Sequence, residues 1–117
     1  MVLVIGGLAS GKRSYVRSLG YDDEQMGTRA YDGKPVLVAL EELLRDGPLD
    51  DAALQDVSSR AVVCCCEVGM GVVPMDPKER AWRELVGRTS AVLAAEAERV
   101  VRMVCGIPTI VKDGGAE

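Results

Sequence analysis

Three short apolar runs punctuate the chain, at residues 1–5, 61–66 and 100–105, and helical spacing of apolar positions fills much of the sequence between them. The first run is continuous and rich in Val, which predicts a strand buried on both faces. A helix is expected from near Gly11 to Leu19, with Gly20 as its stop. Residues 21–34 are polar and without a clear period, and read as a short helix plus a loop. Val36, Leu37 and Val38 predict a short strand, and Leu40, Leu43 and Leu44 predict a helix over 39–45. Asp50 and Asp51 open a further helix to about Arg60, with Ala53, Leu54 and Val57 inward. The second apolar run is a strand that stops on Glu67, followed by a glycine-containing loop over 68–74. Asp76, Pro77 and Glu79 give a strong start, with the spacing of a capping box, to a helix reaching about Ala97. On it Ala81, Leu85, Val92 and Ala95 are expected to face inward, flanked by Trp82, Val86, Leu93 and Ala97. Gly87 interrupts that helix, which predicts close packing or space left for a ligand. A last short strand is expected at 109–111, and Lys112 closes the ordered part.

Short apolar strands alternating with helices predict a parallel α/β sheet covered on both faces. The chain has 117 residues, 48% of them hydrophobic, which suffices for one core. One domain over 1–112 and a fraying tail at 113–117 are expected. No apolar run reaches transmembrane length and no signal-peptide pattern is present, which predicts a cytoplasmic protein without membrane contact. The net charge of −4 argues against a nucleic-acid surface. The four cysteines, Cys64, Cys65, Cys66 and Cys105, lack metal-ligand spacing, and there is no histidine. They read as buried, reduced thiols acting as small hydrophobes. The absence of histidine also removes the commonest general base.

Candidate chemistry begins at the end of the first strand. Gly6, Gly7, Leu8, Ala9, Ser10, Gly11 and Lys12 fit the phosphate-loop pattern G-x-x-x-x-G-K. Glycines let backbone N–H groups turn inward around a phosphate, and the lysine reaches the outer phosphates as a point charge. The following position should carry a Mg²⁺-binding hydroxyl but holds Arg13, and Ser14 lies about 100° further round the helix. A glycine turn that merely joins strand to helix is the alternative.

Glu67, at the end of an apolar strand, sits where a carboxylate could hold Mg²⁺ beside such a loop. Capping a loop or pairing with an arginine is its other reading. Arg80, Arg83 and Arg88 on the long helix are either solvated and paired with nearby glutamates or available to phosphates.

Glu67 to Pro74 reads E-V-G-x-G-x-V-P. With Arg80, Arg83, Gly87, Arg88, Leu93, Ala94 and residues 104–112, it closely resembles the adenosylcobinamide kinase / adenosylcobinamide-phosphate guanylyltransferase family of cobalamin biosynthesis. The opening loop resembles that family's phosphate loop. The resemblance implies a P-loop NTPase-like α/β domain that assembles as a homo-oligomer, a trimer in many members. It implies GTP or ATP as nucleotide, with Mg²⁺, and a cobinamide-like acceptor whose hydroxyl is phosphorylated. Residues 6–14 would bind nucleotide, with Lys12, Glu67 and Arg88 catalytic, Arg80 and Arg83 on phosphate or substrate, and Glu67 on the metal. Arg13 departs from the family's serine, Ser90 stands where an asparagine is expected, and the middle of the chain is shorter. The family's guanylyl transfer is thought to use a histidine, which this chain lacks. A non-catalytic nucleotide binder, or a degenerate partner or regulator of the same family, is the competing expectation.

Overall fold

Leu3 and Val4, adjacent in the first strand, β1 (Val2–Gly6), are both fully buried but point to opposite faces, and that divides the core in two. Leu3 packs on one face with Leu37, Val63, Cys65 and Val100, while Val4 packs on the other with Val36, Val62, Cys64 and Val101. A computed structural model describes residues 1–67 and 76–114. From β1 the chain enters α1 (Lys12–Ser18), β2 (Met26–Gly27), β3 (Val36–Leu37), α2 (Leu40–Leu43), α3 (Asp51–Ser58) and β4 (Val62–Cys66). The long helix α4 (Pro77–Glu96) and the strands β5 (Arg99–Val104) and β6 (Ile107–Asp113) complete it. The sheet order is β2-β3-β4-β1-β5-β6, with β1 flanked by β4 and β5, both parallel to it.

Helix α1 covers one face through Val16, and α2, α3 and α4 cover the other through Leu40, Val57, Val86 and Leu93. This is the expected α/β architecture with helices on both faces. A radius of gyration of 13.6 Å fits one compact domain, for which about 13 Å is usual near this length.

The sheet is not wholly parallel. β6 runs antiparallel to β5, and its seven residues exceed the short strand expected at 109–111. The connection explains both. Cys105 and Gly106 take φ values of 50° and 77°, the left-handed pair of a two-residue hairpin, and a parallel partner would need a long crossover. Pro108 is tolerated because β6 is an edge strand. The strand runs through Asp113, whose carboxylate pairs with Arg99 at 3.0 Å. β2 was not expected at all; two residues within a polar stretch carry no period.

The long helix begins at Pro77 as expected, and Asp76 accepts a hydrogen bond from the Lys78 amide. Glu79 does not act as a capping-box partner, because its carboxylate goes to Arg45 at 2.8 Å. The inward face is also turned from the expected one. Val86, Leu93 and Ala97 are buried, whereas Ala81, Val92 and Ala95 are exposed. The apolar stripe is wide, and spacings of seven and four from Val86 align with the ridge that enters the sheet. Gly87 lies on the exposed side, with open space where a Cβ would stand. Close packing is therefore not its role. Gly87→Ala should stabilise the protein by about 1 kcal/mol through helix propensity; a lower denaturation midpoint in urea would contradict this.

Among the described residues no helix is long and apolar enough to cross a membrane.

Candidate functional site

The loop leaving β1 is shaped by two close backbone approaches. A Cβ on Gly6 would collide with Ser10 Oγ and stand 2.9 Å from the Met103 carbonyl oxygen, so only glycine fits there. Gly11 adopts φ 98°, and a Cβ on it would meet Gly106 Cα at 3.1 Å. The Gly106 amide donates to Ser10 O at 2.9 Å, so the β5–β6 hairpin braces the loop from behind. Ala9 is held at φ 57°, a left-handed conformation that costs a non-glycine residue about 1–3 kcal/mol. Ser10 Oγ is buried without a hydrogen-bond partner. Strain and an orphaned hydroxyl in one exposed loop are the marks of a segment shaped for a ligand.

Lys12 opens α1, and its ammonium folds back onto Gly6 O at 3.1 Å and Gly7 O at 2.8 Å. The Glu67 amide donates to the same Gly6 oxygen at 2.8 Å, which fixes the end of β4 against the loop. The Glu67 carboxylate receives Arg102 in a fork, Nε to Oε1 at 2.7 Å and a terminal nitrogen to Oε2 at 3.2 Å. Between loop and ion pair lies a cleft of about 280 Å³, lined by Gly7, Leu8, Ala9, Ser10, Glu67, Arg102 and residues 103–105. Other clefts lie elsewhere, one of about 320 Å³ beside Val2, Glu98 and Arg99 and one of about 400 Å³ beside Lys34 and Arg60. Neither has a glycine loop.

The structure thus brings together residues 6–12 and Glu67. It does not bring Arg80, Arg83 or Arg88 to that cleft: Arg80 is exposed, Arg83 half-buried, and Arg88 lines a separate groove with Trp82, Leu85 and Pro48. Arg13 and Ser14 are exposed on α1. With only seven residues, α1 supplies little dipole field, so attraction for anions falls to Lys12 and its neighbours. Residues 68–74, which carry the V-G-x-G-x-V-P stretch, lie outside the described residues.

The donors as placed do not make a magnesium site. Both Glu67 oxygens are on Arg102, Arg13 replaces the expected hydroxyl, and no trio of His, Cys, Asp or Glu among the described residues could hold an ion. Glu67 could accept a cation only after leaving Arg102. The alternative raised for Glu67, pairing with an arginine, is the arrangement observed.

The cysteines divide as alternation on a strand requires. Cys64 and Cys65 are buried on opposite faces of β4, and burial pushes both thiols up to about 12. Cys66 is half-buried and is also raised, chiefly by burial. Cys105 does not fit the buried reading: it sits in the hairpin turn and is exposed.

Three charged contacts were missed from sequence, two near the Glu67 end of β4 and the third, Arg60, at the opposite end of that strand, away from the cleft. Arg102 was absorbed into an apolar run; the signal was a cation alternating with buried Val101 and Met103. Glu41 accepts the Cys66 amide at 2.9 Å through its side chain and the Trp82 indole at 2.8 Å through its carbonyl, tying α2 to β4 and α4. Arg60 is buried and meets Asp32 at 2.8 Å and Asp56 at 3.0 Å, with further bonds to the Lys34 and Arg29 carbonyls.

A mostly parallel sheet whose inner strand runs through a glycine loop into a helix defines a P-loop NTPase-like α/β domain. Within that class, the chain belongs to the cobinamide kinase / cobinamide phosphate guanyltransferase family, whose model matches residues 48–111. The matched segment contains Glu67 and Arg102; the glycine loop precedes it. Among relatives, the bifunctional adenosylcobalamin biosynthesis protein CobU of Salmonella typhimurium is 39% identical over 61 residues, and so is the Escherichia coli K12 protein of the same name. Each match covers 52% of this chain and 34% of the relative, so the chain aligns with about a third of their length.

Proposed function

We propose that the cleft between the glycine loop and Glu67 binds the phosphates of ATP or GTP, and that the chain phosphorylates the hydroxyl of a cobinamide-like acceptor. The observation that carries this reading is the loop itself: a strained turn with an orphaned buried hydroxyl and a lysine at its exit. Family membership supports the acceptor class. In this reading the Lys12 ammonium exchanges the Gly6 and Gly7 carbonyls for a phosphate oxygen and stabilises charge on the transferring group. Glu67, once released from Arg102, accepts the hydroxyl proton of the acceptor. Arg80, Arg83 and Arg88 contribute only through a partner surface or a rearrangement that brings them to the loop. Nucleotidyl transfer through a histidine has no seat in this chain, which carries no histidine.

Lys12→Ala should weaken triphosphate binding and lower turnover by at least a hundredfold, with the thermal midpoint nearly unchanged because among the described residues Lys12 bonds just the Gly6 and Gly7 carbonyls where β1 enters the loop. Isothermal titration and a coupled phosphotransfer assay with cobinamide check this. Unaltered nucleotide affinity would remove Lys12 from the site.

A second reading, a nucleotide-binding partner or regulator without turnover, is favoured by the resting arrangement. Both reactive candidates are engaged, Lys12 on carbonyls and Glu67 on Arg102. Saturable nucleotide binding with no phosphate transferred to cobinamide is the result that selects it.

A further inference from the structure

We propose that Arg102 is the second phosphate-binding cation of the cleft, held in reserve by Glu67 and exchanged onto the nucleotide when it enters. The proposal rests on the loop cleft being a phosphate site, as argued above. Arg102 projects from the parallel strand next to β1, at the register of Ile5, and lines the cleft beside Ser10. Its fork of donors now grips a carboxylate, and the same planar fork fits two phosphate oxygens equally well.

Exposure decides how readily the grip opens. The Arg102 side chain is 43% exposed and that of Glu67 20% exposed, so the pair is not sealed from water. Water and salt reach the Arg102 side of the pair and compete for it, so the guanidinium is open to exchange. A polyphosphate settling on the loop brings several negative charges, where Glu67 offers one. It also sets its own charge against Glu67, which lines the same cleft. Both effects move the guanidinium from carboxylate to phosphate. Glu67 is thereby freed only when nucleotide is present, which couples its availability as a proton acceptor to loading of the site.

Two substitutions separate this role from a structural one, because they act in opposite directions. In Mg²⁺-free buffer, with ATP and GTP as probes, Arg102→Leu should weaken binding at least tenfold. Glu67→Gln removes the competing charge and should strengthen it severalfold. Circular dichroism and thermal midpoints verify that each variant is folded, and Arg102→Lys should retain part of the affinity. Binding by wild type that Arg102→Leu leaves unchanged overturns the exchange while sparing the phosphate site. Weakening by Glu67→Gln equal to that of Arg102→Leu also overturns it, since the pair would then act as a brace. No binding of either nucleotide by wild type overturns the phosphate site itself.

Discussion

Arg60→Met is expected to cost about 3–5 kcal/mol of stability, the usual penalty for removing one partner from a buried charge network. The side chain is only 4% exposed and joins segments distant in sequence: Asp56 on α3, and Asp32, Lys34 and Arg29 in the loop before β3. Methionine keeps the apolar stem and fills much of the volume, so the loss reports the guanidinium. Two half-buried carboxylates and two carbonyls would be left facing each other. Total stability of a domain is about 5–15 kcal/mol, so urea denaturation should show a midpoint shift that is hard to miss. A shift below about 1 kcal/mol would mean that water replaces Arg60 at little cost.

The same network makes a pH prediction. Burial pushes the Asp32 carboxyl up, but the Lys34 amide, Arg60 and the Arg29 amide outweigh it and hold it below its ordinary value. For Asp56 the Tyr31 amide is the largest influence, and with Arg60 it overcomes burial and the nearby Asp32. Carboxyls held low in the folded state bind fewer protons than the unfolded chain does near their ordinary value of about 4. Their stabilisation is therefore complete at neutral pH and is lost as pH falls through the acidic range. Arg60→Met should reduce that acid loss without abolishing it, because the Lys34, Arg29 and Tyr31 amides still favour the charged carboxylates.

Gly6→Ala is the second large effect. A methyl group there meets Ser10 Oγ, the Met103 carbonyl oxygen at 2.9 Å and Met103 Cβ at 3.1 Å. The backbone carbonyl belongs to the β1–β5 ladder and cannot yield. Overpacking of this kind costs about 1–3 kcal/mol, which for a domain of this size lowers the thermal midpoint by roughly 4–12 °C. Nucleotide binding should be lost with it, since the loop must move to relieve the clash. Gly7→Ala is the control, because a Cβ at Gly7 meets open space. Equal behaviour of the two variants would show that the loop is not set by this contact.

How much of this could be read from the residues follows from which forces were local. β1, β4 and α3 announce themselves through continuous or periodic apolar positions, and the glycine pattern at 6–12 places the loop between strand and helix. The orientation of α4 was not legible, because its wide apolar stripe leaves the buried ridge to be chosen by the sheet. β6 turned antiparallel on the conformation of Cys105 and Gly106, a two-residue choice that outweighed the α/β pattern of everything before it. The site divides in the same way. Residues 6–12 and Glu67 converge because parallel strands end together, which topology alone dictates. Arg102 escaped notice because its neighbours are apolar, and Arg60 because the partners that bury it lie up to 31 residues away.

The central claim is that the glycine loop and Lys12 hold a polyphosphate. Calorimetric titration of wild type and Lys12→Ala with ATP and GTP tests it most directly. Saturable one-site binding to wild type, lost or weakened at least a hundredfold in the variant, is the predicted result; equal heats from both proteins, or none from wild type, contradict it.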